Sequence, residues 1–274
     1  MGTISVVLAT TIVNVAIPAI MADFGLDQVR AQWLATGFLA AMTATMLTSA
    51  PLMQRLGQRR TFTAALALFF VASVLAALSW NSAVMIAARI LQGAVAGIIQ
   101  PLAMVVIFQT FPDHERGRAL GLYGMGVVLA PALGPTLGGL LVDTLSWRAV
   151  YLAPLPFCAL GLLGAWRTLD NRRPAPSGPF DWLGMALLAP GLFALLAGLV
   201  GLSVHGGGAA QGSMLVLATL LLAAFLLRQW RARSPLVSLA VFRYPALALS
   251  VVLALIYGAG LYASTYLLPL LVQG

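Results

Sequence analysis

Residues 124–139 read GMGVVLAPALGPTLGG. Pro131 and Pro135 are four apart, as are Gly134 and Gly138, so on a helix the two pairs form adjacent stripes. Each proline removes a backbone hydrogen bond and bends the helix, which a membrane bundle tolerates because neighbouring helices re-satisfy the freed groups. The glycines offer a flat seam to another helix. A random apolar helix rarely combines these features, so this segment is read as a closely packed member of a helical membrane bundle.

Composition widens that reading to the whole chain. Hydrophobic residues make up 61% of the 274 residues, only 8% are charged, and the mean hydropathy is +0.98. Soluble domains carry roughly 25% charged residues, so the solvent here is lipid. The net charge of +8 does not mark a nucleic-acid partner, because the arginines sit in short clusters between apolar runs. Cys158 is the one cysteine, which excludes an internal disulfide and a cysteine metal cluster.

A spanning helix needs about 20 mostly apolar residues. Such runs occur at 3–22, 33–53, 61–79, 83–110, 119–141, 149–166, 182–202, 213–230 and 246–272, about nine in all. The first lacks a basic n-region and a small-residue cleavage site, and is read as a retained span rather than a signal peptide. Open strands are excluded, since unpaired backbone groups cannot face hydrocarbon. The expected fold class is therefore all-α integral membrane.

Orientation follows from the arginines, there being no lysine. With the N-terminus in the cytoplasm, the inward loops hold twelve arginines against two outside (Arg30 and Arg148), with Arg89 inside a span. The positive-inside rule favours that arrangement in a bacterial-type inner membrane. The basic, proline-rich segment RTLDNRRPAPSGPFD (167–181) separates a six-helix unit, 1–166, from two further helices, 182–230. Residues 231–274 add an inward loop and a last helix, and RQWRARSPLVSLAVFRYP (228–245) has room for a short interfacial helix.

Three more segments carry candidate site residues. In LATTIVNVAIP (8–18), Thr10, Asn14 and Pro18 share one helix face. Asn14 either lies on a translocation path or bonds a neighbouring helix. In APLMQRLGQRR (50–60), Gly57 permits a tight turn, and Gln54, Arg55, Gly57, Arg59 and Arg60 form a candidate gating loop, although charge topology alone would also account for the arginines. In ARILQGAVAG (88–97), Arg89 lies several residues inside a span, where a buried arginine marks function unless it snorkels to the interface. Gln92 and Gly93 share its face, and Gly93 with Gly97 forms a G-x-x-x-G pair for close packing.

What is missing narrows the class. Asp23, Asp27, Asp113, Glu115, Asp143, Asp170 and Asp181 fall in loops or at span ends, as do His114 and His205. No phosphate loop, metal-ligand cluster or nucleophile triad occurs, so neither an enzyme nor a cofactor or metal is expected.

Together these segments resemble the major facilitator superfamily, and most closely its fourteen-helix drug:proton antiporter branch. LATTIVNVAIP resembles the branch's first-helix signature, with Ala9 where an acid is usual. APLMQRLGQRR resembles the loop motif between the second and third helices, with Gln54 in place of its aspartate and Ala50 in place of its leading glycine. ARILQGAVAG resembles the fourth-helix motif, whose arginine is linked to proton transfer and is Arg89 here. The run from Val127 to Leu141, with Pro131, Gly134, Pro135, Gly138 and Gly139, resembles the antiporter motif of the fifth helix, and FDWLGMALL (180–188) and STYLLPLLVQG (264–274) fit the same branch.

The resemblance implies two six-helix bundles with two inserted helices between them, of which this chain would hold the first bundle, the insertion and the first helix of the second bundle. A chain so truncated supplies one wall of an alternating-access cavity. It implies proton-coupled efflux of small amphipathic compounds, with a small-molecule substrate and protons as partners of the complete parent, and the lipid bilayer as surroundings. Alternatives are a transporter for another small solute, or a non-transporting membrane remnant or partner subunit.

Overall fold

A computed structural model describes residues 1–171, 173, 179–205, 208–232, 234–237 and 243–273, without the side chains of 203–205, 259 and 261–273. Among these it is all helical, in the order α1 (Gly2–Phe24), α2 (Gln28–Met46), α3 (Ser49–Leu56), α4 (Gln58–Ala77), α5 (Ser82–Thr110), α6 (Asp113–Thr144), α7 (Trp147–Leu152), α8 (Leu155–Thr168), α9 (Trp182–His205), α10 (Ala209–Arg231) and α11 (Pro245–Gln273).

Seven of these, taking Trp147–Thr168 as one, are long and apolar enough to cross a membrane, and an eighth is the bent pair α2–α3. The expected ninth run, 246–272, falls on α11, but its described apolar part, Pro245–Gly258, is shorter than a span, so the described residues show seven or eight spans rather than about nine. Within 228–245, α10 runs on to Arg231, residues 232 and 234–237 form no α-helix, and 233 and 238–242 lie outside the described residues, so the expected interfacial helix is not seen among the described ones.

One expected span proves to be bent. The run 33–53 is not one straight helix: α2 and α3 meet at 56°. Pro51 has no N–H for the Leu47 carbonyl, and its ring crowds that turn. The Thr48 hydroxyl donates to the Thr45 carbonyl at 2.7 Å and the Ser49 hydroxyl to that of Met46 at 2.8 Å, local bonds that compete with the helix ladder. Pro154 likewise divides 147–168 into α7 and α8. By contrast α6 runs on through both Pro131 and Pro135.

Three close helix pairs build the packing of α1–α8: α2 along α5, α4 along α5, and α1 along α6. Small residues make two of these approaches possible. A Cβ added to Gly93 would fall on the Phe38 carbonyl, and one added to Gly97 on that of Met42, so α5 touches the bare backbone of α2. The Thr45 hydroxyl closes this seam by donating to the Ala94 carbonyl at 2.6 Å. On α6 the buried stripe is Ala130, Gly134 and Gly138. A Cβ on Gly138 would lie 2.9 Å from the Ile12 carbonyl of α1, whereas one on Gly139 meets nothing within 4 Å. Pro135 is exposed and Pro131 half-buried, so the glycine stripe packs and the proline stripe faces away.

Two apolar clusters fill the bundle. One gathers Leu8, Ile12, Ile20, Leu34, Met85 and Tyr151; the other gathers Phe38, Phe62, Leu66, Phe69, Ile99 and Cys158. At the end of α1, Asp23 accepts from the Trp147 indole at 3.0 Å and pairs with Arg148 at 3.3 Å, tying α1 to α7. The hairpin of α9 and α10 lies against α2, where Phe193 stacks on Trp33 at 6.2 Å.

The seams give a graded expectation. Gly93→Ala and Gly138→Leu each destabilise the purified chain in detergent by about 1–3 kcal/mol, the usual cost of overpacking. Leu140→Ile, at a 59% exposed lipid-facing position, leaves the thermal midpoint within error. Equal midpoints for all three variants would rule out tight seams.

Candidate functional site

Asn81 starts α5 by accepting from the Val84 N–H at 2.8 Å, and two turns later the helix carries Arg89 into the bundle. Arg89 is 1% exposed, so it does not snorkel to the interface. A guanidinium there must replace its water shell with protein acceptors. Its Nε donates to the Leu34 carbonyl of α2 at 2.9 Å. Its Nη1 donates to the Gln92 side-chain oxygen at 2.5 Å and to the Ala9 carbonyl of α1 at 3.4 Å. The Phe38 ring lies under the cation at 4.3 Å and that of Tyr151 at 5.9 Å.

The network continues away from the charge. Gln92 is fully buried and donates to the Ser73 hydroxyl of α4 at 2.7 Å, and Ser73 donates to the Phe69 carbonyl at 2.9 Å. One arginine therefore ties together α1, α2, α4, α5 and α7. None of its hydrogen-bond partners is a carboxylate. The Tyr151 hydroxyl is buried beside this cluster without a hydrogen-bond partner.

The expected site residues separate into three places. Arg89 and Gln92 meet, as their i, i+3 spacing predicts. Thr10 and Asn14 lie on the opposite face of α1: Thr10 is half-buried and bonds its own helix at the Val6 carbonyl, 2.8 Å away, while Asn14 is exposed. Asn14 makes no hydrogen bond to a neighbouring helix among the described residues. Pro131, Gly134, Pro135, Gly138 and Gly139 lie on α6 beside α1, with only the two packed glycines buried among them.

The third place is the turn between α3 and α4. Gly57 has φ 89°, a conformation that strains any residue with a Cβ. Asn171, from the segment after α8, covers this turn: its side-chain oxygen accepts from the Arg60 N–H at 3.2 Å and its amide donates to the Leu56 carbonyl at 3.3 Å. A Cβ on Gly57 would fall on the Asn171 side chain, a second reason for glycine there. Gln54 is half-buried and engaged, Arg59 is half-buried, and Arg55 and Arg60 are exposed.

Sequence reasoning missed Ser73, Phe38, Tyr151 and Asn171. Ser73 had a signal, as a hydroxyl deep in an apolar run; Asn171 in a polar linker had none. Asp181 was placed at a span end but its work was not foreseen. Its Oδ1 accepts from the Gly184 N–H at 2.9 Å and Arg228 Nε at 2.7 Å, and its Oδ2 accepts from Gln229 at 3.2 Å. It thereby caps α9 and clasps α10. Burial opposes its charge, but these bonds together outweigh burial and hold the carboxyl below its ordinary value of 3.8.

Two outcomes follow. Ser73→Ala strips Gln92 of its acceptor and costs about 1–3 kcal/mol of stability in detergent, the penalty of an orphaned buried donor; no change would detach Ser73 from the network. Asp181→Asn is less stable than wild type at neutral pH. Because the folded carboxyl titrates below its unfolded value, that advantage is full above about pH 4 and fades as pH falls through the folded value. A gap between the two proteins that stays constant down to pH 2 in acid unfolding would refute the clasp.

Comparison with known proteins places this architecture. The family model for the Major Facilitator Superfamily matches residues 1–274. The tetracenomycin C resistance and export protein of Streptomyces glaucescens is 34% identical over 97% of this chain and 51% of its own length. The multidrug resistance protein B homolog of Mycobacterium tuberculosis is 31% identical over 96% of this chain and 49% of its own. This chain thus spans about half the length of the curated relatives it matches. Among solved structures, a peptide transporter crystallised with sulfate superposes with a TM-score of 0.59 at 14% identity, over 85% of this chain and 52% of that one. Fold and sequence agree: the chain belongs to the major facilitator superfamily.

Proposed function

We infer that this chain is one wall of a drug:proton antiporter of the fourteen-helix branch, exporting small amphipathic compounds across an inner membrane with its N-terminus in the cytoplasm. The observation that carries this reading is the buried Arg89–Gln92–Ser73 network, a fixed cation held inside a bundle with no bonded carboxylate. Relatives named for multidrug, tetracenomycin and lincomycin resistance support the substrate class. In this reading the first bundle is 1–166, residues 167–181 are the linker, 182–230 are the inserted pair, and 231–274 begin a second bundle.

In this mechanism Thr10 and Asn14 line the path, since they form the polar part of the exposed α1 face. The glycine seam of α6 holds that face in place. Arg89 sets the local potential: a desolvated positive charge behind α1 disfavours a second cation nearby, so a proton and a cationic substrate compete for the path. The turn of Gln54, Arg55, Gly57, Arg59 and Arg60 acts as the gate at the arginine-rich end. A second reading, a facilitator for another small solute, draws on the placement of every acidic residue at helix ends or in loops.

The test is reconstitution in proteoliposomes with an imposed pH gradient and a fluorescent cationic dye. The 274-residue chain alone moves no dye, because a cavity must enclose most of its ligand and one bundle supplies one side. Joined to the C-terminal half of the tetracenomycin exporter, it moves dye down the gradient and loses this with Arg89→Ala. Gradient-driven transport by the chain alone would overturn its assignment as one wall, and a chimera indifferent to Arg89→Ala would overturn the coupling role.

A further inference from the structure

Between α4 and α8 lies an open groove of about 650 Å³. It is lined on α4 by Thr63, Ala67 and Val71, and on α8 by Ala159, Leu163 and Trp166. The lining is apolar apart from Thr63, whose hydroxyl is turned back onto the Arg59 carbonyl at 2.8 Å. Ala67 and Ala159, where larger side chains would fill the space, keep the groove open. A concave apolar trough on a membrane surface fits a hydrocarbon chain.

The same two stripes lead into charge. Stepping back four residues from Thr63 reaches Arg59, and three reaches Arg60; stepping on four from Leu163 reaches Arg167. The exposed Trp166 stands at this mouth, with an amphipathic ring suited to the lipid headgroup level. The two arginine-bearing ends are also joined, because Asn171 bonds the Leu56 carbonyl and the Arg60 N–H. Segments 55–60 and 167–171 thus converge, bringing Arg55, Arg59, Arg60 and Arg167 together with one acid, Asp170, which is itself engaged by a neighbour.

We propose that the α4–α8 groove binds one anionic glycerophospholipid, an acyl chain lying along Ala67, Val71 and Ala159 and the headgroup phosphate held by Arg60 and Arg167. Basic pockets between transmembrane helices bind anionic headgroups in this way. Guanidinium forks suit phosphate oxygens, and a buried chain adds affinity that a free phosphate lacks. Bound there, the lipid would brace α4 against α8 beside the Gly57 turn. The leaflet follows from the orientation proposed above, but the site does not depend on any transport activity.

The experiment uses the purified chain in vesicles of phosphatidylcholine containing either brominated phosphatidylglycerol or brominated phosphatidylcholine, with quenching of tryptophan fluorescence as the readout. Phosphatidylglycerol associates preferentially, and Trp166→Phe removes most of the preferential quenching. Arg60→Gln with Arg167→Gln weakens the preference by about fivefold per arginine. Ala67→Phe with Ala159→Phe fills the groove and abolishes it, while Arg118→Gln, on α6, leaves it unchanged. Equal quenching by the two lipids in the wild type, as expected if a second copy of the chain covers the groove, overturns the proposal. So does a preference that survives either double variant, or one that excess inorganic phosphate removes.

Discussion

The organising constraint is the solvation of Arg89 where no water is available. A guanidinium at membrane depth costs several kcal/mol unless the protein rebuilds its hydration shell. Here the shell consists of the Leu34 and Ala9 carbonyls, the Gln92 amide oxygen and the Phe38 ring. The accepting carbonyls sit on two different helices, so α1 and α2 must both stand beside α5. The remaining helix contacts arrange themselves around that requirement.

Those approaches are close only because side chains are absent where the backbones meet. Gly93 and Gly97 admit the α2 backbone, and the first of them lies one position after Gln92. The residues that bring α2 near and the residues that need its carbonyl therefore occupy neighbouring turns of α5. Lipid gives helices little hydrophobic reason to associate, so contact area and interhelical hydrogen bonds must do so. The α1–α6 seam follows the same rule with a different purpose: it fixes the orientation of a helix whose other face carries Thr10, Asn14 and Pro18.

Polar contacts at the ends of the helices hold the later elements in the same economical way. Asn171 covers the Gly57 turn with both ends of one amide, joining the linker to the α3–α4 connection. Asp181 uses both oxygens, capping α9 and holding Arg228 and Gln229 of α10. In each case one short side chain joins two elements: Asn171 ties the segment after α8 to the α3–α4 turn, and Asp181 ties α9 to α10. Near that junction Arg55, Arg60 and Arg167 are exposed.

Much of this was legible without coordinates. The solvent follows from 61% hydrophobic and 8% charged residues, since nothing else could dissolve such a surface. The helices follow because hydrocarbon forbids unpaired backbone groups. The close-packing role of Gly93, Gly97, Gly134 and Gly138 follows from four-residue spacing, and the Arg89–Gln92 contact from three. All of these are local properties, readable from a single turn of helix. Tertiary structure alone decided what lies across each gap. Arg89 reaches the carbonyl of a residue 80 positions away and of another 55 away, and Gln92 reaches a hydroxyl 19 away. It also separated Gly138 from Gly139, adjacent in sequence but packed and open respectively, and set Asn14 facing out while Ala9 faces Arg89. No local pattern carries that information, because a backbone carbonyl is the same in every residue and only the fold determines which one points at a buried charge.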